Sequence, residues 1–230
     1  MAKKLLVCSD RDGTINDDKD YYLGKSPNWK EQIKFIPHVV QGIKLLNKIP
    51  DSEVFIITNQ SGVAIYHDKQ DSEFPNLTEE RMCEVNEEIL KRLNDEGARI
   101  KGYFACPFVD LKYVQSAFKK GRVIDKRYIA ENHPDRKPNI GMIEKAARSL
   151  GRRMNECDIW TIGDRFTDIQ TGLKAGGRGI LIESNACIED IANSSNASSL
   201  FPNSIFLALN FYKAAQIIAD TYNHIHNNIN

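Results

Sequence analysis

Leu5-Leu6-Val7-Cys8-Ser9-Asp10-Arg11-Asp12-Gly13-Thr14 is the stretch whose reading decides the fold. Four apolar residues in a row suit a strand buried on both faces, as in a parallel sheet covered by helices. Two acids follow at the strand's end, two positions apart. Strand geometry would point both carboxylates to one side. A glycine and a hydroxyl residue come next and allow a sharp turn. With no basic partner evident, the acids would repel each other, and a bound cation or a shared proton would offset that cost. The pattern predicts a Mg²⁺-dependent site with one nucleophilic and one acid/base carboxylate.

Working outward, four more short apolar runs resemble the first, at residues 54–57, 100–105, 159–162 and 180–182. Amphipathic segments lie between them. Val39, Val40, Ile43, Leu45 and Leu46 predict a helix after Pro37. Met82, Val85, Ile89 and Leu93 recur at helical steps, with Thr78 placed to cap the helix and Gly97 to stop it. Pro138 suits the first turn of a helix carrying Ile140, Ile143 and Ala147, and Ile169 and Leu173 mark another before Gly176-Gly177. This β-α-β-α order predicts an α/β fold: a central parallel sheet with helices on both faces. One domain spans 1–230, with loop insertions near 15–35 and 107–136. From about 202 the chain reads as a helix (Ile205, Leu209, Tyr212, Ile217) and a mobile polar tail containing His224 and His226.

Composition narrows the class. In 230 residues, 31 Lys and Arg balance 31 Asp and Glu, and 41% of residues are hydrophobic. That balance does not favour a dedicated nucleic-acid binder. Five scattered cysteines without a CxxC pair argue against a disulfide framework and fit a reducing compartment. No run approaches the roughly 18 apolar residues of a membrane span. A soluble, cytoplasmic protein is expected, as a monomer or small homo-oligomer, with no membrane partner.

In open α/β sheets, ligands bind beyond the carboxyl ends of the strands. The residues expected there are Asp10 and Asp12 after the first strand and Thr58-Asn59-Gln60-Ser61-Gly62 after the second. Arg136-Lys137-Pro138 follow the third strand and its long loop, and Gly163-Asp164-Arg165, with Asp168 one turn on, follow the fourth. The set suits phosphoryl transfer, where an anionic nucleophile must approach a dianion and charge neutralisation is essential. Asp10 and Asp164 would hold Mg²⁺. Lys137, Thr58 and the N–H groups after it would contact the phosphoryl oxygens. Asp10 would attack to form an aspartyl-phosphate, and Asp12 would protonate the leaving alkoxide and then activate water. Asp168 would reach the metal, through a water, or orient Lys137. Asn59, Gln60, Ser61, Arg136 and Arg165 are the candidate substrate-binding residues.

These motifs together resemble the four ordered motifs of haloacid dehalogenase (HAD) superfamily phosphatases. Asp10-Arg-Asp-Gly-Thr-Ile-Asn16, Thr58-Asn-Gln-Ser-Gly62, Arg136-Lys-Pro138 with Gly141-Met142, and the run from Gly163 to Gln170 are similar to the histidinol-phosphate and heptose bisphosphate phosphatase group. The likeness covers roughly residues 4–183. It implies a Rossmann-like HAD fold with a small or absent cap, Mg²⁺, and hydrolysis of a small phosphorylated metabolite such as a sugar phosphate or bisphosphate. It also implies that the main-chain carbonyl of Asp12 is a metal ligand.

One departure concerns zinc. The group often carries a zinc-binding loop before Arg-Lys-Pro, with Cys-x-His and Cys-x-Cys. Here Phe108 follows Cys106-Pro107 where the histidine would stand, and no later cysteine precedes Arg136, although His133 does. A closed zinc site needs about four ligands, so structural zinc is not expected. Between Asp110 and Lys137, eight Lys and Arg stand against four acids, a solvated face or a clamp for a second phosphate. Tyr21, Tyr22 and Trp29 would wall the pocket or pack a loop onto the core. Two rival readings are a polynucleotide 3′-phosphatase and a catalytically silent HAD-like binding protein.

Overall fold

The computed structural model describes residues 3–17, 22–65 and 77–227. The elements in chain order are β1 (Lys4–Ser9), α1 (Trp29–Gln32), α2 (Val39–Leu46), β2 (Ser52–Asn59), α3 (Glu79–Asp95), β3 (Gly102–Cys106), α4 (Leu111–Lys119), α5 (Gly141–Ser149), β4 (Cys157–Gly163), α6 (Phe166–Lys174), β5 (Arg178–Ile182), α7 (Ile188–Leu200), β6 (Ile205–Ala208) and α8 (Phe211–Asn227). The six strands form one sheet in the order β3-β2-β1-β4-β5-β6, every neighbouring pair parallel.

The continuous apolar runs have a direct cause, because both sheet faces are covered. Leu5 and Val7 of β1 point to the face where α2, α3 and α8 bring Ile43, Leu46, Val85, Ile89, Phe211 and Ile218. Leu6 and Cys8 point to the other face, against Met142, Ile143, Ala146 and Ala147 of α5. Each fully buried aliphatic side chain of this kind is worth roughly 1.5–3 kcal/mol. Helix α3 follows its predicted signals: Thr78 accepts a hydrogen bond from the Arg81 N–H, and Gly97, at φ +76°, turns the chain so that the Ala98 N–H reaches the Leu93 carbonyl.

From β1 the chain builds outward to β2 and β3, then returns to lay β4 on the other side of β1. The strand order therefore reverses between β1 and β4, which opens a crevice at their carboxyl ends.

Three expectations change. The stretch at 205–208 is a strand, not the start of a helix, because Ile-Phe-Leu-Ala pairs in parallel with β5; α8 then begins at Phe211 and continues to Asn227 in place of a mobile tail. The 107–136 segment is not plain loop. It carries α4, and its Val109, Ala117 and Ile124 share a core with Val63, Ala64, Ile65, Leu77 and Met82. Pro138 precedes α5 by one turn, since the helix starts at Gly141. Tyr21 lies outside the described residues, as does the side chain of His226. Among the described residues no helix is long and apolar enough to cross a membrane.

Candidate active site

The Asp10 N–H, one residue past β1, donates to the Ile162 carbonyl of β4 at 2.8 Å, which ties the first acid to the strand-order reversal. Lys137 arrives from the loop before α5 and is buried. Its Nζ donates to Asp10 Oδ1 (2.6 Å), Asp168 Oδ1 (2.6 Å) and the Ile57 carbonyl (3.0 Å), using all three protons. Burial alone would strip its charge, but Asp10 and Asp168 outweigh that and hold the ammonium well above the ordinary lysine range. Burial pushes the Asp10 carboxyl up to about 6 against the pull of Lys137.

Asp12 has different company. Strand β1 ends at Ser9, so the two carboxylates do not share a strand face and a single set of partners, and neither lacks a cation. Arg11, only 1% exposed, donates from Nε to Asp12 Oδ1 (2.9 Å) and from Nη2 to Oδ2 (2.7 Å). Gln60 Nε2 donates to Oδ2 (2.6 Å) and Asn16 Nδ2 to Oδ1 (3.1 Å). Burial works against ionisation here, but the Arg11 charge and these hydrogen bonds win and hold the carboxyl below the usual range. The expectation of unpartnered acids is thus corrected: Arg11 balances Asp12, and Lys137 balances Asp10.

The third acid, Asp164, follows β4 and accepts a hydrogen bond from Thr14 Oγ1 at 3.3 Å. Burial, together with the charges of Asp10 and Asp168, pushes it up to about 8. Asp10, Asp164 and Asp168 bring one carboxylate oxygen each within 4.8 Å of the others. One lysine cannot neutralise three clustered carboxylates, and a donor set of hard oxygens with residual negative charge suits a divalent cation such as Mg²⁺. Asp168 also has both oxygens engaged, Oδ1 by Lys137 and Oδ2 by the Arg165 N–H at 3.1 Å.

A cleft of about 720 Å³ opens above this floor, and Thr58, Asn59, Gln60, Ser61, Arg136 and Arg165 all line it. Several of these side chains hold neighbours in place. Asn59 Oδ1 accepts from the Lys137 N–H (3.0 Å) and its Nδ2 donates to the Lys137 carbonyl (3.2 Å). Gln60 Nε2 also donates to Thr58 Oγ1 (2.8 Å), and Ser61 Oγ accepts from Arg136 Nη1 (3.0 Å). Tyr22, Asp190 and, from α4, Lys112, Tyr113 and Ser116 also line the cleft. Asp110 caps α4 by accepting from the Tyr113 N–H (2.7 Å) and accepts from Arg136 Nε (3.2 Å), which joins the inserted helix to the loop that carries Lys137.

Cys106 and His133 do approach one another, Sγ to Nδ1 3.7 Å, but Phe108 stacks on the imidazole at 4.1 Å between centroids. No third Cys, His, Asp or Glu joins them at ligating distance among the described residues.

Sequence reasoning missed Arg11 as a partner and missed Asn86, whose Oδ1 accepts from Arg11 Nη1 at 3.1 Å. An arginine between two acids reads as a solvated spacer unless its burial is known. It counted Lys112 only among the basic residues of a possible clamp and missed Tyr113 and Ser116, because α4 is short and buries chiefly Ala117.

A HAD-hydrolase-like family model matches residues 135–205. The D-glycero-beta-D-manno-heptose-1,7-bisphosphate 7-phosphatase of Rhodopseudomonas palustris is 32% identical over 174 residues, covering 76% of this chain and 81% of that one. The protein of the same name from Mesorhizobium japonicum is 30% identical over 183 residues, covering 78% and 70%. Among solved structures, a D,D-heptose 1,7-bisphosphate phosphatase from B. bronchiseptica, complexed with magnesium and phosphate, superposes with a TM-score of 0.64 at 20% identity, covering 94% of this chain and 99% of that one, and shares the fold. With the motif residues gathered at one sheet edge and relatives at this level of identity, the chain belongs to the HAD superfamily, among its phosphatases, the phosphoric monoester hydrolases.

Proposed function

We propose that the chain removes one phosphate from a small sugar bisphosphate, such as a heptose 1,7-bisphosphate, using Mg²⁺ and an aspartyl-phosphate on Asp10. The observation that carries this reading is Lys137 bound to both Asp10 and Asp168 beside Asp164, at the floor of a walled cleft. Asp10 attacks phosphorus; the new O–P bond forms as the bond to the sugar oxygen breaks. Asp12, which Arg11 holds ionised in the free chain, takes up a proton from solvent as the phosphate dianion binds beside it and gives that proton to the departing alkoxide. Once the alcohol has left, the ionised Asp12 takes a proton from water, whose oxygen attacks the phosphorus and frees inorganic phosphate and Asp10.

Arg11, Gln60 and Asn16 orient Asp12 and favour the ionised form that the second step needs. Asp168 orients Lys137, and Asn59 fixes the backbone on which that lysine sits. Asp10, Asp164 and the Asp12 main-chain carbonyl would hold Mg²⁺, which supplies positive charge to offset the phosphate dianion. Thr58 Oγ1 and the Asn59 N–H would donate to the phosphoryl oxygens, the Gln60 N–H being taken by the Cys106 carbonyl (2.7 Å). Arg136, Arg165 and Lys112 lend positive charge to the cleft wall, suited to a substrate with a second phosphate. The cleft volume falls within the range of about 300–1,000 Å³ usual for small-molecule sites, and the relatives' names point to a heptose bisphosphate.

The test is phosphate release from heptose bisphosphate, hexose bisphosphate, histidinol phosphate and nucleotide monophosphates, with and without Mg²⁺. Mg²⁺-dependent release fastest from a sugar bisphosphate is expected; preference for histidinol phosphate or nucleotides would overturn the substrate reading.

A further inference from the structure

The sheet ladder between β1 and β4 ends at Ser9 opposite Ile162. Past the single bond from the Asp10 N–H to the Ile162 carbonyl, the loop carrying Asp10 and Asp12 and the loop carrying Asp164 leave the sheet separately. Their spacing must be set by side chains. Thr14 reaches Asp164 directly, and Gly13 packs so tightly on it that a Cβ there would stand 2.5 Å from Asp164 Oδ2. Gly13 also needs its positive φ of +79°.

A third segment grips both loops. It follows β5, outside the four motifs. Asn185 Nδ2 donates to the Gly13 carbonyl at 2.8 Å, and Asp190 Oδ1 accepts from the Phe166 N–H at 2.8 Å. On the first loop, the Gly13 N–H is held by the Asn16 carbonyl (2.9 Å) and the Gly13 carbonyl by Asn185. Both peptide planes flanking Gly13 are therefore fixed, including the one that bears the Asp12 carbonyl. On the second loop, Asp190 secures the first N–H of α6, two residues past Asp164, while the N–H before it, that of Arg165, holds Asp168. The segment is itself anchored: the Glu183 N–H reaches the Ala208 carbonyl (2.9 Å) and the Ala186 N–H the Ile182 carbonyl (3.2 Å).

We infer that Asn185 and Asp190 are positioning residues that brace the two ligand-bearing loops at a set separation and thereby tune the affinity for Mg²⁺. This rests on the metal reading given above. A divalent cation with strict octahedral demands tolerates little change in ligand spacing, so loosening either bond is felt first in metal binding.

The experiment is calorimetric titration of Mg²⁺ into the full chain, with thermal melts and Mg²⁺-dependent kinetics on the same samples. Asn185→Ala and Asp190→Ala are each expected to weaken Mg²⁺ binding about three- to tenfold, as the loss of one such hydrogen bond allows. The double variant weakens it further. At saturating Mg²⁺, kcat returns close to the wild-type value. Asp190→Asn keeps an acceptor oxygen but no charge and stays near the wild-type affinity; if it weakens binding as much as Asp190→Ala, charge and not the bond is responsible and the brace is refuted. Unchanged affinity in the folded alanine variants, or a kcat that saturating Mg²⁺ does not restore, also overturns it. Should an alanine variant fail to fold, Asn185→Ser and Asp190→Val, which also lose the bond, carry the same comparison, with Asp190→Asn kept as the control. A wild-type chain that binds no Mg²⁺ removes the metal reading and the brace together.

Discussion

Lys137 Nζ lies 2.6 Å from Asp10 Oδ1 although 127 residues separate them in the chain, and both groups are buried. The ammonium sits between the proposed nucleophile and Asp168, so its removal acts on both. Lys137→Met is expected to leave two buried carboxylates without their cation. Breaking such a pair from one side costs about 3–5 kcal/mol, and loss of a charge aimed at the reacting group costs roughly 10²–10³-fold in kcat. Thermal melts and steady-state kinetics on a sugar bisphosphate check both numbers; a variant with near-normal kcat would remove Lys137 from the chemistry.

Asp10→Asn separates the proposed nucleophile from the scaffold. The amide keeps the shape and can still accept a hydrogen bond from Lys137, so the fold is expected to persist. Phosphate release should fall at least about 10⁴-fold, as for other lost nucleophiles. Burial already disfavours the Asp10 charge, so without Mg²⁺ the variant should melt no lower than the parent. Mass spectrometry after a rapid acid quench should show a phosphorylated parent and an unphosphorylated variant.

Much of this site is legible in the order of residues along the chain. The runs at 5–8, 54–57 and 159–162 read as strands buried on both faces because they are, and in a parallel sheet the residue after such a strand lands at the ligand edge. Asp10, Thr58 and Asp164 follow from that rule alone. The partnership of Arg11 with Asp12 does not, because it depends on a turn that begins at Ser9 and on Gln60 and Asn86 arriving from other elements. Residues 205–208 mislead for a different reason: a four-residue apolar run carries no period that separates strand from helix. Helix α4 stays hidden because it buries chiefly Ala117 and exposes Leu111 and Phe118.

The raised acids give the metal-free protein a defined pH dependence. Asp164 titrates near 8 and Asp10 near 6 when folded, against about 3.8 for each in its unperturbed state. The folded state therefore binds more protons than the unfolded one between about pH 4 and 8, and stability must fall as pH rises through that window. In EDTA, the melting temperature should decline from pH 5 to pH 8. With Mg²⁺ present the decline should flatten, since the cation favours the ionised carboxylates. Equal slopes with and without Mg²⁺ would mean that these carboxyls are not the ligands.

Arg11→Lys tests the fork that holds Asp12. Lysine keeps the charge but cannot present two parallel N–H groups to a carboxylate, and it loses the link to Gln60 Oε1 at 2.8 Å. The expected outcome is a drop in kcat of about tenfold or more with little change in KM, because Arg11 is buried behind Asp12 and away from the cleft lining. A rise in KM alone would instead make Arg11 a substrate contact.

The inserted helix α4 is fastened by Asp110, which caps it and pairs with Arg136 while the Arg136 guanidinium lies over the Tyr113 ring at 5.5 Å. Asp110→Ala removes the cap, worth about 1 kcal/mol, and should lower the melting temperature by roughly 2–4 °C. Arg136 keeps its bonds to Ser61 Oγ and the Phe108 carbonyl, so the floor of the cleft stays in place. Only the wall formed by Lys112, Tyr113 and Ser116 is released. KM for a sugar bisphosphate should therefore rise several-fold, while kcat on a small aryl phosphate, which needs no wall, stays within about twofold. Parallel losses on both substrates would place α4 in the support of the chemistry and not in the choice of substrate.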